Sequence, residues 1–182
     1  MRALTANEVE VRVGNIGKKG VTMLLYKNAR VDRAMLDEEF GRMNWACKYE
    51  EHKGNLFCSI GVYDPNKKEW VWKEDCGTES FTEKEKGEAS DAFKRAGFRW
   101  GIGIELYNSP RIMIPVKTVE NGKGGYQMKD KWELFGSYVS HMVVEEVDGI
   151  RKVTELDIAK KEYNGKSYIL WSTDERKVGM DI

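Results

Sequence analysis

Cysteine, proline and long apolar runs are scarce in this chain. It has three cysteines and three prolines among 182 residues, which is too few cysteines for a disulfide framework and suits a reducing compartment. No stretch approaches the roughly 20 apolar residues of a membrane-spanning helix. The opening residues, MRALTANEVEVRV, contain no apolar segment of a signal peptide. We therefore expect a cytoplasmic protein without membrane association.

Net charge is also absent, because 30 basic residues balance 30 acidic ones. This argues against a protein that binds duplex DNA over its whole surface, although it permits a basic groove that is balanced elsewhere. Charge is in fact uneven: residues 11–33 carry one acidic and six basic side chains, a local charge of +5. The basic residues are Arg12, Lys18, Lys19, Lys27, Arg30 and Arg33. A solvated hairpin and loop would explain this segment equally well.

Motifs for catalysis and for cofactor binding are missing. The chain has no GxxxxGK[ST] loop for ATP phosphates, no GxGxxG fingerprint and no GxSxG elbow. Its two histidines, His52 and His141, lie in unrelated segments. We therefore predict no catalytic site and no cofactor.

Metal-binding patterns are weak. The cysteines and the nearer histidine follow C-x4-H-x5-C-x17-C, without a C-x-x-C pair, so we predict no metal site. The acidic pair Glu74-Asp75 follows Lys73 directly, and such a set can hold magnesium in a nuclease. A strand that ends in charged residues explains the same pattern, so a metal-dependent nuclease stays an alternative.

Hydrophobic periodicity predicts an α+β fold up to residue 108. Asn28 is a favourable N-cap for a helix that runs to Phe40, and Gly41 follows its end. A turn at Lys53-Gly54 joins two strands. The predicted strands are residues 8–13, 21–26, 45–51, 55–63 and 69–76, and the loop 14–20 joins the first two. This order favours an antiparallel sheet packed on helices.

The longest predicted helix lies in residues 82–107, TEKEKGEASDAFKRAGFRWGIGIELY. Thr82 and Glu85 have the spacing of a capping box. Apolar residues then recur every three or four positions, which predicts one buried face. Gly101 and Gly103 are expected to end the helix.

The region after residue 108 has a different character. Residues 120–131 are polar and rich in Gly and Lys, which is typical of a mobile loop. Residues 139–147, 151–158 and 166–171 predict a β-meander with two-residue turns at Asp148-Gly149 and Asn164-Gly165. We expect one domain over residues 1–182, with residues 1–108 as its core and residues 109–182 as an extension.

The core carries a family resemblance. The run GEASDAFKRAGFRWGIGIELY resembles the helix signature of the Rad-fifty-two single-strand annealing family, in the form of its phage and bacterial members. LLYKNARVDRAMLDEEFGRMNW resembles that family's first strand, Arg-bearing turn and first helix, and GNLFCSIGVYD and WVWKEDCGTES resemble its following hairpin. These blocks occur in the family's order and cover about residues 21–107.

The resemblance implies a function in homologous recombination and repair. Members of the family bind single-stranded DNA and anneal complementary strands without ATP, as rings or open helical arrays. The resemblance also implies a phage or prophage protein in a bacterial host, self-association into a high-order oligomer, and a partner exonuclease or single-strand binding protein. A non-catalytic interaction module on the same fold is the alternative that the neutral net charge favours.

Eight basic residues are the predicted DNA contacts. The resemblance places an Arg that touches the DNA backbone at Arg30. Arg95 and Arg99 lie one turn apart on the long helix, where pairing with Asp91 and Glu88 is the competing interpretation. The other candidates lie in the basic segment or along the long helix, and are Lys27, Arg33, Lys84, Lys86 and Lys94. The tryptophans are expected to serve packing or subunit contacts more than base stacking.

Overall fold

The computed structural model of the protein describes residues 1–78 and 84–182, and of residues 84–86 it describes only the backbone. The predicted α+β class is confirmed, because antiparallel sheets and two α-helices make up the described fold. The chain divides into two compact units: unit 1 is Met1–Leu4 with Lys27–Ile104, and unit 2 is Thr5–Tyr26 with Glu105–Ile182.

Both helices belong to unit 1, and unit 2 is built from strands and short 3-10 turns. The elements in chain order are β1 (Glu10–Gly17), β2 (Gly20–Tyr26), α1 (Ala29–Phe40), β3 (Trp45–His52), β4 (Asn55–Asp64), β5 (Glu69–Cys76), α2 (Lys84–Arg99), β6 (Ile112–Ile114), β7 (Thr118–Glu120), β8 (Tyr126–Met128), β9 (Ser137–Val147), β10 (Ile150–Lys161) and β11 (Ser167–Ser172).

Unit 1 is a three-stranded antiparallel sheet, ordered β3-β4-β5, with α2 packed on β4 and β5. Its inner face and the apolar side of α2 form the core. The fully or nearly buried residues there are Cys58, Ile60, Val62, Ala92, Phe93 and Ala96. Trp100 anchors the end of the helix, since its indole N–H donates to the Ile60 carbonyl at 3.0 Å. The predicted hairpin and third strand are confirmed.

The outer face of this sheet presents aromatic side chains to solvent. Tyr63, Trp70 and Trp72 form a row, with ring centroids 5.7 Å and 5.9 Å apart. Trp72 lies over Gly61, where an added Cβ would come within 2.7 Å of the indole. Both tryptophans remain 42% exposed. No helix of the described chain covers this face of β4 and β5, because α2 occupies the other one.

Helix α1 begins and ends as predicted. The Asn28 side chain accepts hydrogen bonds from the amides of Arg30 and Val31, at 2.9 and 3.3 Å, which satisfies two amides of the first turn. Gly41 ends the helix at a φ of 82°, a conformation that glycine adopts without steric cost. The predicted capping box of α2, Thr82 with Glu85, lies outside the described side chains.

Unit 2 contains three antiparallel sheets, ordered β1-β2-β6, β9-β10-β11 and β7-β8. The predicted β-meander is confirmed. Its first turn is the two-residue turn at Asp148 and Gly149, with φ values of 55° and 73°. The predicted two-residue turn at Asn164-Gly165 was wrong, because β10 and β11 are joined by a longer loop of residues 162–166.

Two further predictions for unit 2 are corrected. Residues 14–20 are mostly strand, since β1 and β2 continue to a tight turn with a register shift between Val13 and Ile16. Residues 120–131, predicted as a mobile loop, contain β8 and the turn that leads to it from β7. Local polarity and glycine content concealed both hairpins.

The strands are not divided into the predicted core of residues 1–108 and extension of residues 109–182. β2 pairs with β6 through Val21–Ile114 and the two following positions. The first hairpin therefore belongs with the later strands instead of with α1 and α2. Within the described residues, neither helix is long and apolar enough to cross a membrane.

Candidate nucleic-acid interface

A buried ion pair fixes the start of α1. The ammonium of Lys27 contacts the carboxylate of Asp32, and their side chains are 1% and 0% exposed. Lys27 also donates to the Lys94 carbonyl at 3.1 Å, and its Nζ lies 4.2 Å from the Phe98 ring centroid. These contacts tie the beginning of α1 to the C-terminal half of α2.

Two glycines, one within α2 and one shortly after it, make room for this pair. A Cβ on Gly97 would lie 2.1 Å from Asp32 Oδ1. A Cβ on Gly103, whose φ is 72°, would lie 2.9 Å from Lys27 Cδ and Cε. Real Cβ atoms do not approach other atoms so closely, so both positions require glycine. Gly103, which we predicted as a helix-ending residue, thus also accommodates the buried charge pair, as does Gly97 within α2.

The prediction of Lys27 as a DNA contact is corrected. A side chain with its Nζ inside unit 1, against Asp32, cannot reach a phosphate. The sequence showed a basic segment with one acidic residue, and we predicted three of its six cations, Lys27, Arg30 and Arg33, as DNA contacts. The single Asp in that segment is the group that draws Lys27 inward.

Arg30 and Arg33 lie at the surface near the start of α1, and we call them the α1 arginine pair. Three positions apart on a helix, their side chains are neighbours. Within residues 1–78 and 84–182, neither guanidinium forms an ion pair. Arg33 lies beside β3, where its charge opposes the rise that burial causes in the pKa values of Cys47 and Tyr49. The pair therefore offers two cations that folding leaves without a carboxylate in the described chain.

Arg95 and Arg99 contact a different carboxylate from those we considered. Both guanidiniums bind Asp75 of β5, at 3.2 and 3.0 Å. Burial raises the pKa of Asp75, but the Cys76 amide and the two arginines lower it by more, so the net shift is downward. Lys73 donates to the Arg99 carbonyl at 3.0 Å and lies 4.3 Å over the Trp100 ring. Two guanidiniums thus share one carboxylate at the end of α2, and the Lys73 ammonium binds the helix end beside them.

The two groups of cations contact different strands of the sheet in unit 1. Arg33 lies beside β3, whereas Arg95 and Arg99 bind a residue of β5. Because β4 separates these strands, the two positions are about 10 Å apart across the sheet at strand level. Each group could bind a phosphate separately. A DNA strand would have to run past both groups for all four arginines to contact it.

The remaining predicted contacts divide into two cases. Lys94 is 21% exposed in its side chain and lies 3.7 Å from Asp91, so its charge is partly neutralised. The side chains of Lys84 and Lys86 lie outside the described part of the structure. Nothing in the sequence indicates that Lys73 lies beside Arg95 and Arg99, because it binds the Arg99 carbonyl, 26 residues further along the chain.

The acidic pair of the nuclease alternative is split between the two faces of the sheet. Glu74 accepts from the Ser59 hydroxyl at 3.2 Å on the outer face. Asp75 lies on the inner face with Arg95 and Arg99. The two carboxylates therefore cannot share one magnesium ion. In the described part of the chain, no three His, Cys, Asp or Glu side chains are grouped to hold a metal.

Comparisons with protein-family models, with curated proteins and with solved structures find no match to this chain. Function is therefore inferred from the residues themselves, and chiefly from the exposed α1 arginine pair.

The buried pair predicts an unusual pH dependence of stability. Burial raises the pKa of Asp32 from 3.8 to about 6, against the opposing charge of Lys27. Because the folded-state pKa is raised, the stability that protonation contributes is full below pH 3.8 and is lost as pH rises through about 6. Relative to an Asp32→Asn variant, which cannot titrate, the wild type should become less stable as pH rises through that range.

Urea unfolding at several pH values measures this difference. The comparison must be with Asp32→Asn, since the lowered pKa values of Asp75 and Asp174 act on both proteins in the opposite direction. A difference between the two proteins that stays constant with pH would contradict the prediction.

Proposed function

We propose that the protein binds single-stranded DNA and anneals complementary strands without ATP. The α1 arginine pair is the observation that carries this proposal. A cation in the first turn of a helix, where Arg30 lies, is unfavourable by about 0.3–1 kcal/mol, because the helix dipole is positive there. Arg30 and Arg33 remain exposed without a carboxylate partner in the described chain. A bound phosphate would compensate this charge, and a guanidinium can bind a phosphate with two parallel hydrogen bonds.

Rigid placement supports the same role. The Lys27–Asp32 pair and the Asn28 cap hold the first turn of α1 in one position. Phosphate contacts made from such a helix fix the path of a strand but carry no sequence information. Bases that are not gripped remain free to pair with a complement, and pairing supplies roughly 1.4 kcal/mol per base-pair step. Annealing on this surface therefore needs no nucleotide hydrolysis.

Removal of the α1 arginine pair is expected to weaken DNA binding without unfolding the protein. The Arg30→Ala/Arg33→Ala variant should bind a single-stranded oligonucleotide about tenfold or more weakly. Its log–log salt slope should fall in magnitude by about 1.4, since each single-strand phosphate contact contributes about 0.7. Fluorescence anisotropy at several salt concentrations measures both quantities.

Arg42→Ala is the matched control, because Arg42 is also an exposed arginine of unit 1 but lies 3.5 Å from Asp37. Its affinity should stay close to that of the wild type. Both variants should melt like the wild type, because surface substitutions usually change stability by less than about 0.5 kcal/mol. Equal losses in the two variants, or no binding by the wild type at micromolar concentration, would remove the proposal.

We propose further that the protein acts as a high-order homo-oligomer. One subunit offers few phosphate contacts, whereas repeated copies place neighbouring sites on one strand at high effective concentration. The aromatic row of Tyr63, Trp70 and Trp72 is an exposed surface of the kind that subunit interfaces use. A heterologous contact through such a surface closes rings or grows helices.

Light scattering coupled to gel filtration should show a mass far above the 21.0 kDa of one chain. The Trp70→Ala/Trp72→Ala variant should lower that mass, whereas Trp132→Ala, which removes a 60% exposed tryptophan of unit 2, should not. A monomer at tens of micromolar with DNA present could not hold enough bases for a duplex nucleus. That result would favour the alternative of a protein-interaction module, which the aromatic row also supports.

A partner exonuclease or single-strand binding protein belongs to the same proposal. Annealing consumes single strands, so another activity has to supply or protect them. Gel shift with labelled oligonucleotides, with and without magnesium, separates an annealing protein from an interaction module and from a nuclease.

A further inference from the structure

A small basic pocket lies at the tip of the β1–β2 hairpin in unit 2, and we call it the hairpin-tip pocket. Its volume is about 190 Å³. The lining residues come from β1, from the tight turn, from β2 and from the segment at the start of β6, and they are Asn15, Gly17, Lys18, Lys19, Gly20, Thr22, Arg111 and Met113.

Charge in this pocket is of one sign. Lys18, Lys19 and Arg111 contribute three cations, and no carboxylate is among the lining residues. All three are exposed, and within the described ranges none of them forms an ion pair. Asn15 and Thr22 add neutral groups that can donate hydrogen bonds. Several positive charges in one concave site raise the local positive potential. A bound anion would lower that potential and reduce the repulsion between the cations.

The backbone holds these cations together. Thr118 donates its hydroxyl to the Lys18 carbonyl at 3.1 Å, which ties the hairpin turn to β7. Gly20 has a φ of 143°, and a Cβ there would lie 2.3 Å from the Ile114 carbonyl oxygen. The turn and β6 are therefore packed backbone against backbone, and the pairing Thr22–Met113 fixes Arg111 two residues away. A site whose framework is already ordered loses less conformational entropy when it binds a ligand.

We propose that the hairpin-tip pocket binds a single phosphoryl group. Its volume lies below the roughly 300–1,000 Å³ of pockets that enclose drug-sized ligands, so a small anion fits it better than a base with its sugar. A terminal phosphate carries about −1.5 to −2 charges at pH 7, whereas a backbone phosphate of DNA carries one. Three cations that line one small pocket match the terminal group more closely. Free phosphate and the terminal phosphate of a nucleic-acid strand share this chemistry.

Inorganic phosphate is the first probe. Isothermal titration of the full chain, at constant ionic strength set with sodium chloride, should show saturable phosphate binding. Phosphate should also raise the melting temperature above that in chloride alone, because a ligand that binds only the folded state stabilises it. Arg111→Ala and Lys19→Ala should each weaken phosphate binding about tenfold or more, since each removes a charge-assisted contact.

Lys123→Ala is the matched control, because Lys123 is an exposed lysine in the turn between β7 and β8 and is not among the pocket residues. It should bind phosphate like the wild type. All variants should melt like the wild type in chloride, which shows that the pocket mutants are folded. No saturable binding, or equal binding by Arg111→Ala and the wild type, would overturn the proposal.

Two oligonucleotides of one sequence, with a 5′-phosphate or a 5′-hydroxyl, identify the source of the group. Tighter binding of the phosphorylated strand, lost in Arg111→Ala, would assign the pocket to strand ends. Equal binding of the two strands, together with phosphate binding that Arg111→Ala abolishes, would assign it to a free phosphorylated ligand. The inference is independent of the proposed annealing function, because a protein that binds phosphate here but binds no DNA would lose only that function.

Discussion

Asp32→Ala is expected to lower the free energy of unfolding by about 3–5 kcal/mol at pH 7. The substitution leaves the Lys27 ammonium in the interior of unit 1 without its carboxylate. Lys27 and Asp32 are both buried, so each depends on the other to compensate its charge. Breaking one side of such a pair costs more than the pair itself contributes, because the remaining charge stays desolvated.

Chemical unfolding followed by tryptophan fluorescence measures this loss, since Trp45 and Trp100 both lie in unit 1. Glu38→Ala is the control on the same helix, because Glu38 binds Arg2 at 3.0 Å with 58% of its side chain exposed. It should cost no more than about 1 kcal/mol. If Asp32→Ala costs as little as Glu38→Ala, the buried pair does not hold α1 in place.

Gly97→Ala is expected to be the second large loss, on the order of 3 kcal/mol or more. In an unconstrained helix the change would stabilise by up to about 1 kcal/mol, because alanine is the better helix former. Here the new Cβ would lie 2.1 Å from Asp32 Oδ1, and relieving that overlap requires either α1 or the ion pair to move. Overpacking of this kind usually costs 1–3 kcal/mol, and disturbing the pair adds to it.

A double-mutant cycle tests the cause. In the Asp32→Ala background the carboxylate is gone, so Gly97→Ala should cost much less than it does alone. Contacting residues of this kind show coupling of about 0.5–3 kcal/mol. Gly17→Ala serves as a further control, since its Cβ would meet only the Gly20 carbonyl oxygen at 3.9 Å. Additive costs in the cycle would show that Gly97 is needed for another reason.

Local signals predicted the elements of unit 1 closely. The Asn28 cap, the Gly41 end and the Lys53-Gly54 turn each act within a few residues, and the structure has them where the pattern places them. The strand β5 also has its predicted bounds. Capping and turn chemistry depend on side chains next to the backbone groups they satisfy, so the sequence alone contains them.

Contacts between distant residues escaped prediction for the opposite reason. Nothing next to Lys27 shows that Gly97 leaves space for its partner, or that the Lys94 carbonyl accepts from it. The three residues of β6 are too few to show the alternation of apolar and polar residues that predicts a strand. They form a strand only because β2 pairs with them. The hairpin-tip pocket likewise needs Arg111 beside Lys18 and Lys19. Charge patterns along the chain therefore indicated a basic region, but not which cations are buried, paired or convergent.

The pairing of β2 with β6 has a consequence for synthesis on the ribosome. Residues 27–104 contain all the strands and helices of unit 1, so most of that unit can form as soon as they emerge. The β1–β2 hairpin has left the ribosome earlier, yet its second strand keeps an unpaired edge until Ile112–Ile114 follows. Open strand edges are sites of mispairing between chains. On one messenger RNA, β2 of one nascent chain can therefore pair with a strand of a neighbouring nascent chain. The edge of β2 stays open for as long as the ribosome takes to translate unit 1.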